Sequence, residues 1–162
     1  MAMEEWGRLL IPLYLVSKGI LQKPILYLSD FFERNRNLYY DNLMVVREKN
    51  NLSQWFKFFL VGVIETSKNG IRTFENILQL QKQVDSEIQK MGSRGINAKK
   101  VLDYLYNKPL INAAKVSEVT GISMPSSYKL ISDLEKIRVL KEITGGQRSR
   151  MYVFANYLNI FK

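Results

Sequence analysis

The sequence predicts a mainly α protein: a helical bundle lacking its opening elements, then a winged helix-turn-helix module with a small β-hairpin. Three observations predict it. Apolar residues recur every three or four positions through most of the first ninety residues, which is the period of one helix face. The stretch "MGSRGIN", residues 91 to 97, interrupts two such patterns with glycine and serine. Near the C-terminus "VLKEIT" and "MYVFANYL" flank "GGQRSR", and a Gly-Gly between two β-rich runs signals a hairpin. The expected boundaries are 1–92 for the helical part and 97–162 for the winged-helix part.

Composition narrows the chemistry. The chain has 162 residues, 46% hydrophobic and 24% charged, enough to bury a core and typical of a folded protein. It contains no cysteine, which excludes disulfides and thiolate zinc sites. It contains no histidine either, so the commonest general base and metal ligand are missing. No catalytic residue and no metal ligand is assigned. The net charge is +9, and residues 97–162 hold 11 basic against 5 acidic residues, whereas residues 1–96 hold 13 against 10. A basic excess of this kind favours polyanionic partners, nucleic acid first.

The first element, "EEWGRLLIPLYLVSKGIL" at residues 4 to 21, begins abruptly. Its apolar run from Leu9 to Val16 is broken by Pro12 and is far short of the roughly 20 residues of a spanning helix. Glu4 and Glu5 are acidic where a signal peptide would be basic. A cytoplasmic chain with no membrane partner is expected. "LSDFFERNRNLYYDNLMVVREKN" follows, with Ser29 as N-cap and a division into two short helices around Asn35 to Asn37. "LSQWFKFFLVGVIETSKNGI", capped by Ser53, is apolar nearly all round and predicts a central buried helix. Ile77, Leu80, Val84, Ile88 and Met91 then form one stripe on a last helix before the seam.

Beyond the seam, "NAKKVLDYLYNKP" predicts a helix with Val101, Leu102 and Leu105 inward. "INAAKVSEVTGIS" predicts a short helix closed by Gly121. Ser123 caps "MPSSYKLISDLEKI", with Pro125 in its first turn. A helix, a glycine turn, a second capped helix and a β-ribbon define a winged helix. "SSYKLISDLEK" resembles the recognition helices of bacterial winged-helix regulators, although Arg138 occupies a position that is usually glycine. A DNA partner is therefore expected. Met124, Ser126, Ser127 and Lys129 would face the major groove from the first turns of the second helix. Gln147, Arg148 and Arg150 would reach phosphates or the minor groove from the wing.

The first part, from Gly7 to about Leu80, resembles the second half of a Fic-family domain. The resemblance lies in "GRLLIPLYLVSKGIL", "KPILYLSDFFERNRNLYYDNLMVVREKN" and "LSQWFKFFLVGVIET". Several bacterial members of that family carry a C-terminal winged helix, and together the two likenesses cover nearly the whole chain. The family transfers AMP from ATP to protein hydroxyls through a motif H-P-F-x-[D/E]-G-N-G-R-x-G-R. Only the closing Gly7 and Arg8 match it here, Arg8 corresponding to the arginine on the terminal phosphate. Glu5 stands where the first arginine should be, and Trp6 falls on a variable position.

By that resemblance the histidine base, the acidic magnesium ligand and the glycine cradle lie outside this sequence. No cofactor is expected for this chain, whereas ATP and magnesium serve an intact member. Asn35, Tyr39 and Tyr40 correspond to the border of the nucleotide pocket, or act as packing and turn residues. A non-catalytic DNA-binding regulator is the first reading. The alternatives are half of an AMP-transferase completed by a separate N-terminal chain, or a dimeric scaffold. Apolar surface along Leu9, Leu13, Val16 and "FFLVGVI" implies a homo-oligomer or a partner covering that face.

Overall fold

The computed structural model describes residues 10, 12–22, 28–146 and 149–161 and is mainly helical, with a small antiparallel sheet. Met1–Arg72 and Thr73–Lys162 form two compact units. Among the described residues no helix is long and apolar enough to cross a membrane.

In the first unit residues 12–17 are helical. Helix α1 spans Leu28–Arg34 and α2 spans Arg36–Lys49. They part at Asn35, whose side-chain amide donates to the Phe31 carbonyl at 2.9 Å, so the asparagine closes α1 in place of a further helical turn. Ser29 lies inside α1, not ahead of it. Helix α3 spans Ser53–Gln89. Its first turn is satisfied by Asn51, which accepts from the Ser53 N–H at 3.0 Å, so Asn51 does what the sequence assigns to Ser53. Leu28, Phe31 and Phe32 form the core of this unit, with Tyr39, Phe58, Phe59 and Val63 packed on it. Phe32 is enclosed by the rings of Tyr39 at 5.1 Å, Phe58 at 6.0 Å and Trp55 at 6.3 Å.

Helix α3 departs from expectation twice. Phe56, Leu60, Val61 and Ile64 are each more than half exposed, so its first half is buried on one side only. It also runs on through Gly70, absorbing the separate last helix that the sequence suggests. The stripe near its end belongs to the second unit: Val84 and Ile88, with Leu80 and Met91, pack on Ala98, Val101 and Leu102. The seam at residues 91–97 therefore separates helices and not compact units.

The second unit continues with a 3-10 turn at Gly92–Arg94, α4 at Gly95–Asn107, β1 at Leu110–Asn112, α5 at Ala113–Thr120 and α6 at Met124–Lys136. Strands β2, Lys141–Glu142, and β3, Met151–Val153, precede α7, Ala155–Asn159. The sheet order is β1-β3-β2, with Ile111 opposite Tyr152 and Glu142 opposite Tyr152 on the other side. Strand β1 is an addition to the predicted hairpin, and the second β-rich run contributes only three residues of strand. At Phe154 the chain leaves the sheet, its N–H donating to the Pro109 carbonyl at 2.9 Å. There it turns into α7, whose Tyr157 stacks on Phe154 at 5.7 Å. Leu102, Leu105, Val116, Leu134 and Phe154 are completely buried. Arg138 adopts φ 58° between α6 and β2, the left-handed conformation that glycine usually supplies.

Candidate nucleic-acid interface

The connection between α5 and α6 is fixed by local hydrogen bonds. Gly121, at φ 76°, closes α5 with its N–H donating to the Ser117 carbonyl at 2.8 Å, a left-handed cap that favours glycine. The Ser117 hydroxyl donates to the Ile122 carbonyl at 2.6 Å, and the Thr120 hydroxyl to the Val116 carbonyl at 2.6 Å. The Asn112 side chain accepts from the Lys115 N–H at 2.8 Å and caps the start of α5. Ser123 is the N-cap of α6, but its hydroxyl meets that of Ser126 at 3.0 Å and no backbone N–H. The free N–H groups of this first turn carry the positive end of the helix dipole.

Leu130, Ile131 and Leu134 anchor α6 in the core, and that burial decides which predicted residues face outward. Met124, Ser126 and Lys129 are exposed. Ser127 is not: it is completely buried, and its hydroxyl donates to the Ser123 carbonyl at 3.1 Å. It shares the inward stripe of residues 127, 130, 131 and 134, at the i, i+3, i+4, i+7 spacing, and the same spacing would have excluded it from the sequence. Tyr128, 52% exposed, takes its place on the outer face, a residue that the sequence reading did not single out. Lys129 forms no ion pair among the described residues, whereas Asp133 pairs with Arg94 and, at 3.3 Å, with Lys136.

In the wing, the Glu142 carboxylate accepts from the Thr144 hydroxyl, from the Thr144 N–H at 3.0 Å and from the Gly145 N–H at 2.9 Å. Arg150 donates from Nε to the Gly146 carbonyl at 2.8 Å. Gln147 and Arg148 lie outside the described residues. The Thr144 hydroxyl, helped by the two backbone N–H groups and the Arg150 charge, holds the Glu142 carboxyl below its ordinary 4.5. A depressed carboxylate stabilises the fold above its unfolded pKa, and that contribution is lost as the pH falls through the lower folded value. The Thr144 and Gly145 amide signals are therefore expected to move only below about pH 4.5 in NMR titrations, and a Glu142→Ala chain should show no such step. Burial pushes the Tyr106 hydroxyl up to about 12, with Asp85, Tyr157 and Asp103 adding to it. It stays neutral in any ordinary buffer and adds no charge to the unit.

Of the residues matched to the Fic motif and pocket, Asn35, Tyr39 and Tyr40 are described. Gly7 and Arg8 lie outside the described residues. Asn35 spends its amide on the α1 carbonyl and lines a cleft with Arg34 and Asn37 that neither Tyr39 nor Tyr40 borders. The Tyr39 ring packs on Phe32 and, at 5.5 Å, on Trp55. Tyr40 sits edge-on to Tyr39 at 5.5 Å, with the Arg36 guanidinium over its ring at 5.8 Å. Tyr39 is thus one of the residues packed on the core of the first unit. No protein-family model matches the chain.

Proposed function

We propose that the second unit binds double-stranded DNA as a winged helix and gives the chain a regulatory role without catalysis of its own. The first unit is read as the C-terminal part of a Fic-like helical domain, a reading that rests on the sequence resemblance alone. The observation that carries the DNA-binding proposal is the outer face of α6, where Ser126, Tyr128 and Lys129, the last unpaired among the described residues, stand exposed beside a helix N-terminus whose N-cap makes no side-chain hydrogen bond to the backbone. The 11-to-5 basic excess of residues 97–162 agrees with it.

In this mechanism the first turn of α6 enters the major groove. Ser126 can donate to or accept from any base edge, so it adds little sequence code. Lys129 neutralises a phosphate, and Arg150 does so from the ribbon. Tyr128 supplies an apolar ring against the thymine methyl and sugar edges, with its hydroxyl for a phosphate. Fluorescence anisotropy of a labelled random duplex, titrated between 50 and 200 mM salt, is the test. Affinity is expected to fall by on the order of a thousandfold across that range if about six phosphates are engaged. Lys129→Ala and Arg150→Ala should each lower the log–log salt slope by about one. Absence of binding at the lowest salt, or binding indifferent to both substitutions, would overturn the proposal.

A further inference from the structure

The residue types on α6 restrict which bases it can read. Helix α6, Met124–Lys136, contains no arginine, asparagine or glutamine, the side chains that recognise guanine or adenine through paired hydrogen bonds. Its two carboxylates are poorly placed to read cytosine. Asp133 is committed to Arg94 and Lys136, and Glu135 lies in the last turn, whereas base edges are met by the first turns of such a helix. Ser127 is turned inward. The first two turns instead expose Met124 at 40% and Tyr128 at 52%, with Pro125, Ser126 and Lys129 beside them. The Lys129 ammonium is a point charge on a flexible stem, without the fixed fork of arginine, and it serves phosphates of any sequence.

Met124 and Tyr128 stand four residues apart, so they lie on one side of the helix, one above the other. Neither is needed by the core, which holds α6 through Leu130, Ile131 and Leu134. The major groove displays hydrogen-bond donors and acceptors and one apolar group, the 5-methyl of thymine. A thioether and a phenol ring set among base edges match that group and leave the polar edges to water. 5-Methylcytosine carries the same methyl on the same ring carbon, so it presents the same apolar contact from a G·C pair. Resting on the reading of the second unit as a DNA-binding winged helix, we infer that the site selects duplexes by their pyrimidine 5-methyl groups, with Met124 and Tyr128 as the specificity-determining residues. Lys129 and Arg150 then supply affinity that is common to every sequence, and Ser126 satisfies whichever edge lies beside it.

Four duplexes of one length, titrated with the full chain at fixed salt, test the inference. One is rich in A·T pairs, and its copy carries deoxyuridine in place of every thymine. The third is rich in G·C pairs, and its copy carries 5-methylcytosine in place of every cytosine. Within each pair the phosphates and the hydrogen-bonding edges are identical, so only the methyl groups differ. Covering one methyl is worth roughly fourfold, and two, one under each side chain, give on the order of tenfold tighter binding of the methyl-bearing member. Tyr128→Ser and Met124→Ser should each shrink that ratio, and together they should abolish it. Tyr128→Phe, which keeps the ring, should preserve it. Both positions are exposed, so the far-UV circular dichroism should not change. Equal affinity within either pair, or a ratio that survives the double substitution, would overturn this inference while leaving the DNA-binding reading in place. Absence of binding to all four duplexes at the lowest salt would overturn both.

Discussion

Replacing Leu134 by alanine is expected to destabilise the second unit by about 3 kcal/mol. The side chain is completely buried on the inner face of α6, in one cluster with Leu102, Leu105, Val116 and Val139. Truncation removes the transfer free energy of the deleted carbons and leaves a cavity, and such changes cost roughly 2–5 kcal/mol. Collapse around the hole is resisted from the backbone side, because the Leu134 carbonyl accepts from Val139 at 2.9 Å and from Leu140 at 3.3 Å. Urea denaturation can separate the units spectroscopically. Trp55 falls in the first unit, so tryptophan emission reports it, while the NMR methyl signals of Leu102, Leu105 and Val116 follow the second. With a slope of about 1.5 kcal/mol/M, the transition of these methyl signals should move down by about 2 M urea. Leu134→Met, which conserves volume, should cost less than about 1.5 kcal/mol. A loss under 1 kcal/mol for the alanine variant would mean that α6 is not seated on this core.

The second large effect is a contrast of sign within one helix. Alanine is a better helix former than glycine by about 1 kcal/mol, so Gly62→Ala and Gly70→Ala would both stabilise α3 on propensity alone. A Cβ at Gly62 would lie 2.6 Å from Phe31 Cδ1 and 2.7 Å from Cε1. That ring cannot step aside: it is buried, with the Phe58 ring 5.2 Å away and the Phe32 ring at 6.0 Å. Overpacking of this kind costs about 1–3 kcal/mol, which outweighs the propensity gain. At Gly70 a Cβ meets nothing within 4 Å, so the gain of about 0.5–1 kcal/mol survives. Thermal unfolding followed by tryptophan emission should show Gly62→Ala melting below the parent chain and Gly70→Ala above it. Two shifts of the same sign would show that Phe31 does not fill the notch at Gly62.

The helices from Gly95 to Lys136 were legible because each pairs a full apolar stripe with explicit punctuation: Gly121 in the left-handed region, Pro125 in a first turn, Pro109 beyond an end. Strand β1 was not. Three residues, Leu110 to Asn112, cannot display alternation, and they abut a helix whose cap, Asn112, reads as a helix start. The fate of Val84 and Ile88 was half legible. Their spacing shows that one helix face is covered, but periodicity carries no information about which residues cover it, and those turn out to follow the seam. The stretch ending at Gly70 and Ile71 and the stripe from Ile77 were read as two helices, yet Ser67, Asn69 and Gly70, residue types common in turns, do not oblige the backbone to turn. For the candidate interface, Lys129 and Ser126 followed from their place in the first turns of α6. Ser127 required noticing that a small polar residue can occupy an inward stripe when a carbonyl one turn back accepts its hydroxyl.

The uninterrupted course of α3 also bears on how the chain folds. Starting a helix is the costly step, with a nucleation constant of about 10⁻³, whereas each added residue is nearly neutral or favourable. Two cores served by two separate helices would meet that barrier twice. Here the residues that anchor the first core, Phe58, Phe59 and Val63, and those that anchor the second, Val84 and Ile88, belong to the same helix. Whichever core condenses first leaves a formed helix end from which the other can grow by propagation alone. The weakly packed turns between Thr66 and Thr73 thus link the two cores in folding kinetics even though few side chains there are covered.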